Sequence, residues 1–381
     1  MSTETTLKRN EYALLLSGGG ARAAYQLGVL KSISTYLARN HGLPFPILCG
    51  NSAGAFNATG LACYASCYHL GVKKLESVWK NFNTRHVYDS GIRDVFFHLS
   101  RNFLRSFQSE QHQKKAASLL NNQPLRRLIR HYLDFHRIDR NIASEHLRAI
   151  CVNASSYTTH DSISFFQGHH DLQAWYREQR RGMACTINSE HLMASSAIPL
   201  LFPPVKMGGE YLGDGSVHQL SPLSPAIHLG ARKIMVVGVE QPQRMSRFTD
   251  MKRFPSSIAI AGHLLDTIFA DTLRSDLERM ERINQTIAHM TYQQRQQTSL
   301  KTIECLVINP SISFNEMAAR HFTTMPSGIK LLLRMLGLHD KADSSLLSYL
   351  LFEKEFCREL IELGYQDGLA RKDEIRSFLN I

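Results

Sequence analysis

Hydrophobic and polar positions follow two rhythms along this chain. Tyr12-Ala13-Leu14-Leu15-Leu16 is a short, continuous apolar run, the pattern of a strand buried on both faces. Ser17-Gly18-Gly19-Gly20-Ala21-Arg22 follows at once, and then Ala23, Leu27, Leu30 and Leu37 fall on one helical face. Gly42 and Pro44 end that unit. A second apolar run, Ile47-Leu48-Cys49, feeds Gly50-Asn51-Ser52-Ala53-Gly54-Ala55, which predicts a strand, a sharp turn and a helix. Two strands separated by a helix predict a parallel pair with a right-handed crossover. Later strands are predicted at His146 to Asn153, Ser162 to Phe166, Arg232 to Val239 and Cys305 to Asn309. A short helix from Asn188 to Ala197 is stopped by the Pro-broken stretch Ile198 to Val205. One long helical pattern runs from about Ser257 to Asn284, with Leu265, Ile268, Leu273, Leu277 and Met280 facing inward. Beyond Pro310 the chain turns helical through Leu331 to Leu336 and Leu346 to Leu363. The fold class is therefore α/β.

Residues 69 to 145 interrupt this alternation and look like a helical insertion. Charge sharpens the point. The 381 residues carry a net charge of +11, and between His69 and Arg140 there are fourteen Lys/Arg against six Asp/Glu. Trp79, Phe82, Phe96, Phe97, Phe103 and Phe107 lie among these cations. The segment reads as a solvated helical subdomain or as a lid whose rings enter a lipid headgroup layer. A basic face attracts phospholipid and nucleic acid alike. No apolar run approaches the roughly 20 residues of a membrane span. Met1 to Asn10 are polar and unlike a signal peptide. Seven cysteines, an odd number without Cys-x-x-Cys or Cys/His metal spacing, suit a reduced, intracellular chain that needs no metal.

Candidate chemistry starts at Ser52. In Gly-x-Ser-x-Gly the serine sits on a strained strand-to-helix turn with its hydroxyl lifted from the sheet edge. Gly50 and Gly54 fit because side chains there would strike a neighbouring strand or helix. Taken alone, the motif arises by chance in roughly one chain of this length in ten. The Gly18-Gly19-Gly20 loop has three readings: a phosphate cradle, an oxyanion hole, or a tight turn. It lacks the sixth-position Gly of a dinucleotide fingerprint, because Ala23 stands there, and no Gly-Lys-Ser/Thr follows. Asp214-Gly215 alone reads as a hairpin turn. Among 18 histidines none has a telling context; His191 and His218 lie nearest the candidate motifs.

Three elements stand in order: Gly18-Gly19-Gly20-Ala21-Arg22, Gly50-Asn51-Ser52-Ala53-Gly54 and Asp214-Gly215-Ser216. Together they resemble the patatin-like phospholipase family, and Ala194-Ser195-Ser196-Ala197-Ile198-Pro199 adds to the likeness, which covers roughly residues 11 to 240. The resemblance implies a three-layer α/β/α domain with a mostly parallel central sheet. It implies a Ser–Asp dyad without histidine, with Ser52 as nucleophile and Asp214 as base. It assigns Gly19, Gly20 and Arg22 to an oxyanion loop whose backbone N–H groups are the donors. Two positions depart from the family pattern: Ala23 replaces the Gly after Arg22, and Ser216 replaces Gly or Ala after Asp-Gly.

The expected activity is hydrolysis of phospholipid or lysophospholipid esters through a Ser52 acyl-enzyme, with no cofactor. Alcohol in place of water would make a transacylase. The rival readings are a non-catalytic basic membrane- or nucleic-acid-binding module on a decayed hydrolase fold, and a Ser–His acyltransferase. The expected partners are an acyl-ester lipid and an anionic membrane surface rather than nucleic acid. The expected location is cytoplasmic, peripheral to the inner face of a membrane. The expected organisation is an acyl hydrolase domain over 11–310, including the basic insertion at about 69–145, and a helical C-terminal extension over 311–381.

Overall fold

In the computed structural model, which describes residues 10–91, 93, 97, 118–242, 257–268, 272–335 and 345–381, one mixed sheet divides the molecule into layers. Ten strands belong to it: β1 (Tyr12–Leu16), β2 (Ile47–Asn51), β3 (Ala149–Ser156), β4 (Ser162–Gly168), β5 (Trp175–Arg177), β6 (Arg180–Ala184), β7 (Val205–Met207), β8 (Glu210–Asp214), β9 (Lys233–Val237) and β10 (Glu304–Ile308). Their order is β10-β9-β1-β2-β3-β4-β6-β5, with β8 also paired to β3 and β7 to β8. From β10 to β3 every pairing is parallel. The pairs β3–β4, β3–β8, β7–β8 and β5–β6 are antiparallel.

The apolar runs are continuous because both faces of the parallel part are covered. Leu14, Leu16, Leu48, Ile150, Val152, Met235 and Val237 point into the larger core. Their alternates Ala13, Leu15, Ile47, Cys49, Ile234 and Val236 point into a smaller one. The larger core is closed by α1 (Ala24–Ser34), α2 (Ala53–Cys63) and α3 (Tyr68–Lys80), by α4 (Gln123–Tyr132) and α5 (His136–Ala143), and by α6 (Ser189–Ser195). The smaller is closed by α7 (Ser224–His228) and α9 (Thr272–His289), with α8 (Ser257–Asp266) before it in the chain. Of the single long helix expected from Ser257 to Asn284, α8 and α9 are described, and residues 269–271 between them lie outside the described residues.

The C-terminal helices are α10 (Tyr292–Gln297), α11 (Phe314–Arg320), α12 (Ser327–Met335), α13 (Ser345–Leu350), α14 (Lys354–Ala370) and α15 (Lys372–Leu379). From α11 onward their apolar side chains, including Phe314, Leu347, Phe356 and Ile361, join the larger core. α14 lies against α1 at an unusually close crossing. A Cβ on Gly28 would overlap the Ile361 carbonyl, and one on Gly364 would overlap the Tyr25 carbonyl.

The rings of the basic insertion divide. Trp79 and Phe82 are buried, stacked on each other with centroids 4.7 Å apart, and the Trp79 indole N–H donates to Asn57 Oδ1 at 2.7 Å. These two are core residues and do not face a headgroup layer. Phe97 is 67% exposed. Phe96, Phe103 and Phe107 lie outside the described residues. Among the described residues no helix is long and apolar enough to cross a membrane, and no group of three His, Cys, Asp or Glu is placed to hold a metal ion.

Candidate active site

The site forms where β2, β1 and β8 end together. β2 stops at Asn51, α2 starts at Ala53, and Ser52 between them has φ 52° and ψ −127°. A non-glycine residue in that region stores strain, and such strain collects at functional turns. The turn is held from four sides. A Cβ on Gly54 would strike the Leu16 carbonyl of β1, and one on Gly50 would sit 2.6 Å from the Ala55 backbone. The Ser52 N–H donates to Ser195 Oγ at 2.9 Å, and the Ser52 carbonyl accepts from the Ala55 N–H at 3.0 Å. Beneath it, Asn153 Nδ2 donates to Asn51 Oδ1 at 2.6 Å and the Ser164 hydroxyl to Asn153 Oδ1 at 2.8 Å. Ser52 is 2% exposed and heads α2, whose N-terminal dipole favours negative charge there.

Asp214 is the last residue of β8, opposite Ala154 of β3, and is fully buried. Its N–H donates to the Ala197 carbonyl at 3.0 Å, just past α6. Gly215 is required next, because a Cβ there would overlap the Asn153 carbonyl. The Ser216 N–H donates to Asp214 Oδ1 at 3.0 Å, while Oδ2 has no hydrogen-bond partner among the described residues. Burial pushes the Asp214 carboxyl up from the ordinary 3.8 to about 6. The Ser216 N–H and the nearby hydroxyls of Ser52 and Ser216 hold it from rising further. A carboxylate so placed, with Oδ2 unpartnered among the described residues, is chemically able to accept a proton from a neighbouring hydroxyl.

The glycine loop leaves β1 and turns through a 3₁₀ segment, Gly20–Ala23. Gly20 has φ 55° and packs so tightly on the Tyr349 carbonyl that no side chain fits. Gly18 lines a small cavity with Asn51 and Ser216. Arg22 is disposed differently from Gly19 and Gly20. Its N–H donates to the Gly19 carbonyl at 3.1 Å, and its guanidinium is buried away from Ser52 among the C-terminal helices. Sequence reasoning put Arg22 in the loop and had no signal for where its side chain goes.

The two histidines singled out from sequence are elsewhere. The His191 ring caps α6, with Nδ1 3.2 Å from the Asn188 N–H, and packs on Phe165. His218 faces His160. Burial lowers the pKa of both rings. Among the described residues no histidine ring hydrogen-bonds Ser52 or Asp214. An apolar pocket opens beside the serine, lined by Gly20, Ser52, Phe56, Trp79, Leu128 and Phe352 among others. Next to it, across Leu128, lies a second pocket whose walls include Arg85, His86, Arg127 and His131 beside Val78 and Pro124.

A sequence model of the patatin-like phospholipases matches residues 14–227, more than half of the chain and all three motifs. The chain belongs to the patatin-like phospholipase family. Within that family its two departures are mild. Ala23 has helical angles, φ −65° and ψ −11°, where a methyl group favours the helix over glycine. Ser216 keeps the backbone N–H that Asp214 uses and adds a hydroxyl near the carboxylate.

A cGAMP-activated phospholipase of Pseudomonas aeruginosa is 42% identical over 59 residues, 16% of this chain and 18% of that protein. The chain thus aligns with under a fifth of that relative's length. Two solved structures are similar at 13% identity. VipD of Legionella pneumophila has a TM-score of 0.39, with 96% of this chain and 67% of that chain covered. ExoU of the Pseudomonas aeruginosa type III secretion system, solved in complex with SpcU, has a TM-score of 0.26, with 88% and 70% covered.

Proposed function

We propose that this patatin-like phospholipase hydrolyses carboxylic esters of phospholipids or lysophospholipids through a Ser52 acyl-enzyme, with Asp214 as the base. The observation that carries the reading is the buried Asp214 beside the strained Ser52 turn, with Oδ2 unpartnered and no histidine bonded to either residue among the described residues. Asp214 takes the Ser52 proton as Oγ attacks the ester carbonyl. The Gly19 and Gly20 N–H groups hold the oxyanion, a donor of this kind being worth roughly 3–4 kcal/mol of barrier. The tetrahedral intermediate collapses, the C–O bond to the glycerol side breaks, and protonated Asp214 returns its proton to the leaving oxygen. Water then attacks the acyl group, passing its proton to Asp214, and Ser52 is regenerated with the fatty acid released. Phe56, Trp79 and Phe352 offer the acyl chain an apolar pocket at the serine. A relative whose name records phospholipase activity supports a lipid substrate.

A fluorophosphonate probe and mixed phospholipid vesicles test this. The account expects one labelled site at Ser52 and release of fatty acid, both lost in folded Ser52→Ala. Turnover by that variant at the wild-type rate contradicts it.

The second half of the proposal concerns the surface. Arg85 and Arg127 make no ion pair among the described residues, whereas Arg126 and Arg130 are tied to Glu190. We infer that the free pair faces anionic lipid at the mouth of the site.

A further inference from the structure

The oxyanion loop poses a problem of its own. Three successive glycines have the greatest backbone freedom of any tripeptide, and an oxyanion hole works only when its donors are fixed beforehand. Nothing in Gly18-Gly19-Gly20 itself supplies that rigidity. The Tyr349 carbonyl packs directly on Gly20, and two residues later Arg22 is gripped by side chains; both contacts come from a part of the chain beyond residues 14–227.

Arg22 is almost wholly buried, and its guanidinium meets three helices at once. Nη1 donates to Asp266 Oδ1 at 2.8 Å, at the end of α8. Nη2 donates to Asn315 Oδ1 of α11 at 3.0 Å and to the Ser345 carbonyl of α13 at 3.4 Å. Nε donates to Ser348 Oγ at 2.8 Å. The Tyr349 ring lies under the guanidinium carbon at 3.7 Å. The acceptors are themselves cross-braced: Tyr349 Oη donates to Asp266 Oδ1 at 2.9 Å, Asn315 Nδ2 to Ser345 Oγ at 2.9 Å, and Ser345 Oγ to Asp266 Oδ2. The same Tyr349 presses its carbonyl on Gly20. Only a planar fork with five N–H donors can occupy these acceptors together; lysine cannot. A guanidinium this buried needs Asp266, its one carboxylate partner among the described residues, because an uncompensated buried cation is costly.

We propose that Asp266, Asn315 and Ser348 are positioning residues for catalysis. They hold Arg22, and through its backbone they fix Gly19 and Gly20 in the geometry that binds the oxyanion. The C-terminal helices are thereby part of the working enzyme. This rests on the Ser52 reading for its catalytic consequence and not for its structural one.

The test uses the full chain with Asp266→Ala, Asp266→Asn and Ser348→Ala. Three quantities are read: kcat and KM on a soluble p-nitrophenyl ester, the rate of fluorophosphonate labelling, and hydrogen exchange at Gly19 and Gly20. Asp266→Ala should lower kcat and labelling about tenfold or more, short of the 10²–10³ lost with a whole oxyanion donor. KM should stay within about twofold, because ground-state binding is untouched. Gly19 and Gly20 should exchange faster. Asp266→Asn, which keeps an acceptor, should recover most of the loss. If Asp266→Ala does not fold, Ser348→Ala carries the test, with a smaller loss in the same direction. Folded Asp266→Ala with unchanged kcat, labelling and loop exchange overturns the proposal, even if its Tm falls. Wild-type protein that fails to label overturns the Ser52 reading instead, and loop exchange still decides whether Arg22 is the restraint.

Discussion

Asp214 works against the stability of the fold that holds it. Its carboxyl is raised from 3.8 to about 6 by burial, so the folded state binds the proton more tightly than the unfolded chain. Stability from this group is therefore complete below about pH 4 and is lost as pH rises through about 6. A rise of about two pK units corresponds to about 3 kcal/mol at pH 7, the cost of keeping a bare carboxylate dry. Asp214→Asn, neutral and of the same shape, should raise Tm by several degrees at pH 7.5 and by little at pH 4. Thermal unfolding at the two pH values checks this, and an equal change at both removes the argument. Wild-type kcat/KM should rise with pH through about 6 as the base ionises.

At this scale the sequence was informative about which residues meet and silent on how. Ser52 and Asp214 sit in short motifs whose glycines, Gly50, Gly54 and Gly215, are required by close backbone approach. Ser195, whose hydroxyl receives the Ser52 N–H, lay within a stretch noted for its likeness to the family, yet nothing in the stretch gave it that role. The burial of Arg22 among residues 266, 315, 345 and 348 depends on contacts that no local pattern encodes.

Among elements, the parallel strands were legible because a short apolar run bounded by turn residues is too brief for a helix and fits a strand covered on both faces. β5 and β7 were not: three residues each, partly exposed and interleaved with Arg or Lys, they carry no period. β8, Glu-Tyr-Leu-Gly-Asp, has no Val, Ile or apolar alternation and runs into Gly-Asp, so it reads as a turn, although its last residue was singled out. The α1–α14 crossing was equally unreadable, since glycine inside a helix has several causes. The structure gives this one: Gly28 and Gly364 let two backbones touch. Gly28→Ala would force the helices apart. Overpacking of this kind costs roughly 1–3 kcal/mol, which a urea midpoint measures. An unchanged midpoint would mean that α14 moves freely on α1.

Over the whole molecule the net charge of +11 is concentrated, and among the described residues some of the cations are paired within the fold while others are not. Lys31 and Lys80 share Glu76, and Arg126 and Arg130 share Glu190. Arg85 and Arg127 remain unpaired among the described residues, at the pocket that adjoins the one at the serine. Binding to anionic vesicles should weaken as salt rises, because surface charges act over about 10 Å at 0.1 M. Arg85→Ala/Arg127→Ala should weaken it further while leaving turnover of a soluble ester intact. Co-sedimentation indifferent to salt and to both substitutions contradicts the membrane-facing assignment, and tight salt-sensitive RNA binding would favour a different partner.

The central claim is a dyad of Ser52 and Asp214 with no histidine. Asp214→Asn alone does not decide it, because an Asp that merely orients a histidine also costs about 10⁴ when changed. The deciding measurement is phospholipid turnover by folded Ser52→Ala, Asp214→Asn, His191→Ala and His218→Ala, assayed side by side. The account predicts that the first two are equally inactive and that their double variant is little worse. It predicts that both histidine variants stay within about tenfold of wild type, since loss of a general base costs 10²–10⁴. One folded histidine variant as inactive as Ser52→Ala would contradict it.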